Sequence, residues 1–190
     1  MSWLISAIRS SLGKKIIMGL TGLFLCSFLV VHLTGNFALF VADQGKSFNE
    51  YTHFMTSNGL IRVMEIVLVL GFLFHILDGI LLTLENRKAR PIPYAMKKSA
   101  GYSTVASRNM IISGMIILVF LIMHLKTFWY SFHFGEIGLD QWGNKNMFSV
   151  IQVAFKETWY VCLYLVSLYL LGVHLNHGFQ SAFQSMGINH

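Results

Sequence analysis

Residues 16–40 read IIMGLTGLFLCSFLVVHLTGNFALF, a stretch without a single Asp, Glu, Lys or Arg. In lipid the backbone N–H and C=O groups have no water to bond, so a spanning segment must satisfy them internally. A helix of about 20 apolar residues does this and crosses the hydrocarbon layer. Three further stretches meet the same requirement, at about 60–84, 108–130 and 158–183. The second has Arg62 and Glu65 near its start and Asp78 inside. The third is broken only by Lys126 after Arg108, and the fourth carries no formal charge. The pattern predicts an all-α membrane protein: one domain over 1–190, built as an up-down bundle of four transmembrane helices.

Composition points the same way. Of the 190 residues, 55% are hydrophobic and 12% charged, with a mean hydropathy of +0.60. A soluble domain carries about 25% charged residues, so there is too little polar side chain to cover a water-soluble globule. The aromatic content of 14% excludes a disordered chain. The net charge of +6 does not suggest nucleic acid, because most of the bases flank apolar runs instead of forming a patch. Cys26 and Cys162 lie within apolar runs and there is no CxxC or CxxCH, which excludes a structural zinc site and covalent haem attachment. The segment MSWLISAIRSSLGKK has no A-x-A cleavage site ahead of the first apolar run, so that run is expected to be retained.

The linkers and the orientation follow from charge. Residues 41–59 read as a polar loop, 85–107 as a basic loop with Pro91 and Pro93, and 131–157 as a glycine-containing connection. Placing the N-terminus in the cytoplasm puts Arg9, Lys14, Lys15, Arg87, Lys88, Arg90, Lys97, Lys98 and Arg108 inside. Lys46, Arg62, Lys126, Lys145 and Lys156 then lie outside. That asymmetry obeys the positive-inside rule. Trp129, Tyr130, Trp142, Trp159 and Tyr160 would form an outer aromatic belt.

Each span contains a histidine: His32, His75, His124 and His174. Polar groups at membrane depth are costly and normally face the bundle interior. With about 1.5 Å of rise per residue, His32 and His124 both fall about 25 Å from the inner edge, in spans running outward. His75, about 15 Å from the inner edge, and His174, about 22 Å from the outer one, lie deeper in spans running inward. The four histidines thus form two level pairs from alternate helices. Two imidazoles at one height can supply both axial positions of a porphyrin iron, whereas zinc or copper needs three or four ligands at one level. Two haem b groups are the expected cofactors, bound by His32 with His124 and by His75 with His174. His177 is an alternative to His174. His53 and His133 read as loop or surface residues, and His190 ends the chain. Gly19, Gly22 and Gly35 flank His32, Gly71 and Gly79 flank His75, Gly114 precedes His124, and Gly172 and Gly178 flank His174. These glycines suit either a flat macrocycle or close helix packing.

VVHLTGN, FNEYTHFMTSNGLIRVMEI leading to LFHILDG, IMHLKTFW and GVHLNHGFQSAFQSMG are spread over residues 20–187. In these stretches the chain resembles the dihaem (b558-type) cytochrome b membrane anchors of succinate:quinone oxidoreductases. That family has five membrane helices, against four apolar runs here. The resemblance implies an outer haem on His32 and His124 and an inner haem on His75 and His174. It also implies menaquinone or another quinone as substrate, and a bacterial cytoplasmic membrane as location. The implied partners are a flavoprotein subunit and an iron–sulfur subunit docked on the cytoplasmic face, with the 85–107 loop as a docking surface. The chain has no dinucleotide fingerprint or iron–sulfur cysteine set, so it holds no succinate-oxidising site of its own.

Quinone reduction takes up two protons with two electrons. Glu65 lies about 15 Å outward of His75 by helical rise, near the level of the outer haem. It is the candidate quinone-side proton donor, with an ion pair to Arg62 as the rival reading. Glu50, His53 and Arg62 are weaker candidates, and Asp78 lies one turn below His75. Two other functions fit the same histidines. One is a dihaem anchor of another quinone-linked enzyme, such as a hydrogenase or formate dehydrogenase. The other is a small transporter relaying protons through histidine.

Overall fold

The computed structural model describes residues 2–89 and 109–188, and these are helical apart from turns and an isolated bridge between Leu139 and Lys145. The helices are α1 (Ser2–Arg9), α2 (Ser11–Asn36), α3 (Lys46–Ser57), α4 (Gly59–Lys88), α5 (Met110–His124), α6 (Ser131–Phe134), α7 (Met147–Ala154) and α8 (Thr158–Ser185). A 3-10 turn, Phe37–Phe40, extends α2, and a six-residue π-helix, Leu125–Tyr130, joins α5 to α6. Four segments are long and apolar enough to cross a membrane: Ser11–Phe40, Gly59–Lys88, Met110–Phe134 and Thr158–Ser185. This is consistent with a multi-pass membrane protein. Large apolar side chains such as Leu20, Val31, Ile66, Val119 and Leu165 stay exposed along them, as lipid-facing residues would.

The spans are longer than the apolar runs predict. α2 begins before Lys14 and Lys15, and α4 continues through Glu85, Arg87 and Lys88. Long charged side chains reach polar surroundings from a helix end, so the helix outlasts its apolar stretch. Two linkers also differ from expectation. Residues 41–59, expected as a loop, contain α3. Gln44 and Gly45 turn the chain with positive φ, and the Asp43 carboxylate accepts the Gly45 and Ser47 N–H groups to start the helix. A Cβ at Gly45 would lie 2.2 Å from the Phe148 ring, so φ and packing both require glycine there. Asn58 then separates α3 from α4 by accepting the Leu60 and Ile61 N–H groups. The 131–157 connection likewise contains α6 and α7. The basic 85–107 loop, with Pro91 and Pro93, lies outside the described residues from position 90 on, as do Arg108 and His190.

The chain forms two compact units. The first comprises Met1–Cys26, Leu68–Met115 and Leu171–His190. Here small residues set the helix contacts. Gly19 faces Ala182, Gly71 faces the Phe24 ring and Gly79 faces Met18, so α2 touches both α8 and α4. Lys14 on α2 is ion-paired with Glu85 on α4.

The second unit comprises Ser27–Val67 and Ile116–Leu170. Its polar hub is Asn49 on α3, only 1% exposed. The Asn49 amide donates to Asp140 Oδ2 at 3.0 Å and to Asn146 Oδ1 at 3.3 Å, and its carbonyl accepts the Phe148 N–H at 3.0 Å. Desolvation pushes the Asp140 carboxyl up, but hydrogen bonds from the Asn144, Asn49 and Trp142 nitrogens outweigh it and hold the group below the usual carboxylate range. Replacing Asn49 by Ala removes three hydrogen bonds at a buried position and leaves the half-buried Phe148 N–H and Asp140 Oδ2 without this partner, at about 1 kcal/mol or more for each bond lost. The expected result is a loss of about 2–4 kcal/mol and a thermal midpoint lowered by roughly 5–15 °C. An unchanged midpoint in Asn49→Ala would show that the hub carries no stability.

Candidate functional site

Each unit brings two of the span histidines together, ring edge to ring. In the second unit the rings of His32 (α2) and His124 (α5) have centroids 5.8 Å apart and planes at 82°. In the first, the rings of His75 (α4) and His174 (α8) are 6.4 Å apart at 71°. His177 is half-buried one turn further along α8, and His174 is the residue whose ring meets His75.

Separations of this size occur in ordinary edge-on ring packing and also between two imidazoles on one metal. A metal–imidazole bond is about 2 Å long. Two such bonds in line, plus about 1 Å from each bound nitrogen to its ring centre, put the centres about 6 Å apart. Among the described residues there is no group of three or more His, Cys, Asp or Glu side chains that could hold a bare metal ion. The number of imidazoles at each place is the number of axial positions on a porphyrin iron.

At three of the rings a hydroxyl lies beside Nδ1, and among the described residues Nε2 has no hydrogen-bonding neighbour of this kind. Thr21 Oγ1 lies 3.3 Å from His75 Nδ1, and its own proton goes to the Ile17 carbonyl at 2.9 Å or to that of Met18 at 3.1 Å. Ser113 Oγ lies 3.2 Å from His174 Nδ1 and donates to the Met110 carbonyl at 3.0 Å. With the hydroxyl proton on its own helix carbonyl, the oxygen accepts from the imidazole, which is the tautomer with the proton on Nδ1 and the Nε2 lone pair free. At His124 the partner is the Tyr164 hydroxyl, 2.9 Å from Nδ1, which has Tyr160 and not a helix carbonyl as its second neighbour. His32 is oriented by stacking, its ring 5.4 Å from Phe28 and inclined by 25°. A neutral ring whose second nitrogen is anchored in this way is the form in which histidine binds a metal.

Two glycines border the first unit's pair. A Cβ at Gly22 would come 3.4 Å from His75 Cε1, and one at Gly114 would come 3.5 Å from His174 Cε1. Gly22 thus serves His75 and not His32, the histidine it precedes in sequence, and Gly114 serves His174 and not His124. Gly35 faces the Tyr51 ring instead of a histidine, and nothing lies within 4 Å of a Cβ at Gly172. Helix direction decides this: ten residues along a helix displace a group by about 15 Å, so a residue's neighbours come from the antiparallel helix beside it.

Glu65 belongs to a polar cluster in the second unit. Its carboxylate is ion-paired with Arg62 on the same face of α4 and accepts the Trp129 indole N–H at 2.6 Å. Arg62 also donates to His133 Nε2 at 2.9 Å, and His133 Nδ1 donates to the Trp129 carbonyl at 2.9 Å. The Arg62 ion pair expected as the rival reading is present. His133, expected as a solvated loop residue, is half-buried on α6 as part of this cluster. The π-helix makes the arrangement possible, because its wider turns shift the register after His124, a feature frequent at functional sites. Phe128, in that π-helix, packs edge-on to the His124 ring at 5.3 Å, and the next residue, Trp129, holds Glu65.

The other candidates are accounted for as follows. Glu50 pairs with Lys46 at 3.8 Å on the exposed side of α3, and His53 is exposed on the same helix. Asp78 Oδ2 is buried without a hydrogen-bond partner, as is Ser167 Oγ. Tyr160, expected in an aromatic belt, is only 4% exposed and packs inward, while Trp129, Tyr130, Trp142 and Trp159 remain exposed. Sequence reading missed Thr21, Ser113, Tyr164, Trp129 and the role of His133. The available signal was a hydroxyl in an otherwise apolar span, which commits its proton to the preceding turn and keeps a lone pair for a neighbour. Comparison of the chain with family models, with curated proteins and with solved structures finds no match.

Proposed function

We propose that this chain is the dihaem cytochrome b membrane subunit of a succinate:quinone oxidoreductase. It carries electrons between an iron–sulfur subunit and menaquinone or another quinone. The observation that supports this best is the repeated arrangement of facing imidazoles in both units, three of them held by a hydroxyl at Nδ1. The resemblance of the histidine-bearing stretches to that family supplies the rest.

In this reading His75 and His174 hold the inner haem, and His32 and His124 the outer one. When bound, each haem iron stores one electron between donor and acceptor. Thr21, Ser113 and Tyr164 fix ring orientation and keep the Nδ1 proton in place, so that Nε2 meets the iron. Gly22 and Gly114 keep side chains away from the imidazole edges of the inner pair. At the quinone end Glu65 carries protons, with Arg62 and Trp129 holding its carboxylate and His133 sharing Arg62. Flavoprotein and iron–sulfur partners supply the succinate chemistry that this chain lacks. They dock on the cytoplasmic face of a bacterial membrane, the side assigned to the N-terminus.

The test is a pyridine haemochrome count on the purified membrane complex, followed by reduction with defined donors. Two haem b per chain are expected, both reducible by succinate. One haem or none in folded protein would overturn the reading, and reduction by hydrogen or formate but not succinate would reassign the chain to another dehydrogenase.

A further inference from the structure

The two histidine pairs differ in what holds them. Around His75 and His174 the Nδ1 partners are aliphatic hydroxyls at 3.3 and 3.2 Å, each with its proton on a helix carbonyl. At His124 the partner is a phenol at 2.9 Å, and the phenol meets a second phenol, Tyr160, with the hydroxyls 3.2 Å apart. When Nε2 of a neutral imidazole coordinates iron, Nδ1 keeps its proton, so Tyr164 must accept. The Tyr164 proton is then free to go to Tyr160. The three groups form a chain, His124 Nδ1–H to Tyr164 O–H to Tyr160 O, in which each donation polarises the next.

We infer that Tyr164 is a positioning residue that lowers the reduction potential of the haem held by His32 and His124, with Tyr160 reinforcing it. This rests on the dihaem reading above. A hydrogen bond accepted from Nδ1–H raises the basicity of the ligand nitrogen and favours the oxidised iron. The effect belongs to one site, because Tyr164 lies in the second unit and bonds only the His124 ring of the two pairs. The phenol is built in. Its ring packs on Phe120 at 4.8 Å, Phe155 at 4.7 Å and Tyr160 at 4.8 Å. Tyr160 is itself 4% exposed.

That packing makes Tyr164→Phe a clean test, because the aromatic ring stays and only the oxygen goes. Spectroelectrochemical titration of the intact complex should show one haem component with its reduction equilibrium shifted about three- to tenfold toward the reduced form. For one electron this is a rise of about 30–60 mV. The other component should not move. Tyr160→Phe leaves the His124–Tyr164 bond in place and removes only its reinforcement, so the same component should rise by less. Two haems with unchanged potentials in Tyr164→Phe would overturn the inference and leave the dihaem reading standing, as would movement of both components together. If Tyr164→Phe loses the haem, Tyr160→Phe decides: an unmoved or lowered potential there overturns the inference. A wild-type protein without haem removes the dihaem reading itself.

Discussion

Ala at His75 or His174 is expected to abolish one redox component, and Ala at His32 or His124 the other. The structure underlies the grouping: the rings meet as His75 with His174 and as His32 with His124, each pair within its own unit. In the proposed dihaem reading each imidazole would supply one of two ligands to its haem, and its removal leaves the glycines and apolar side chains in place. The affected haem is therefore lost or becomes high-spin, while the other keeps both ligands. In the proposed complex, loss of the inner component would stop electrons entering from the iron–sulfur side. Loss of the outer one leaves the inner haem reducible by succinate and stops quinone turnover. Redox titration of the four variants is the measurement. If His32→Ala and His75→Ala remove the same component, the assignment of ligands fails.

Glu65→Gln is expected to reduce quinone turnover by a hundredfold or more, within the range for a lost general acid or base, with both haems present and reducible. Gln keeps an oxygen to accept the Trp129 N–H, so the cluster should keep its shape. The competing account treats Glu65 as half of an ion pair with Arg62. Both side chains are partly exposed, at 24% and 41%, and pairs in such surroundings contribute about 0–1 kcal/mol. That account expects a slightly lowered thermal midpoint and undisturbed turnover. Steady-state quinone reduction beside a melting curve separates the two, and full turnover in Glu65→Gln eliminates the proton-carrying role.

Which features were legible from sequence follows from their range. The four spans show in composition because lipid demands an unbroken apolar helix wherever the chain crosses. The histidine pairing follows from counting, because helical rise turns sequence position into depth. The helices run beyond the apolar stretches because Lys14, Glu85 and Lys88 are tolerated in the terminal turns. The helix α3 lies in a stretch that reads as a polar loop and α7 in one that reads as a connection, because their packing is decided by partners far along the chain: Phe148 against Gly45, and Asn49 against Asp140 and Asn146. Glycine roles were misassigned for the same reason, since neighbours in sequence were taken for neighbours in space.

Hydrophobicity and a fixed rise per residue make the helical class, the four apolar runs and the histidine within each run readable from the chain alone. Which oxygen meets which nitrogen emerges only from packing: Thr21 at His75, Ser113 at His174, Tyr164 at His124, and Arg62 between Glu65 and His133. Hydrogen bonds act over about 3 Å, and contacts of that range depend on the rotation of each helix about its axis and on the register shift after His124. Neither is encoded in any one segment, because both result from side chains of separate helices packing together.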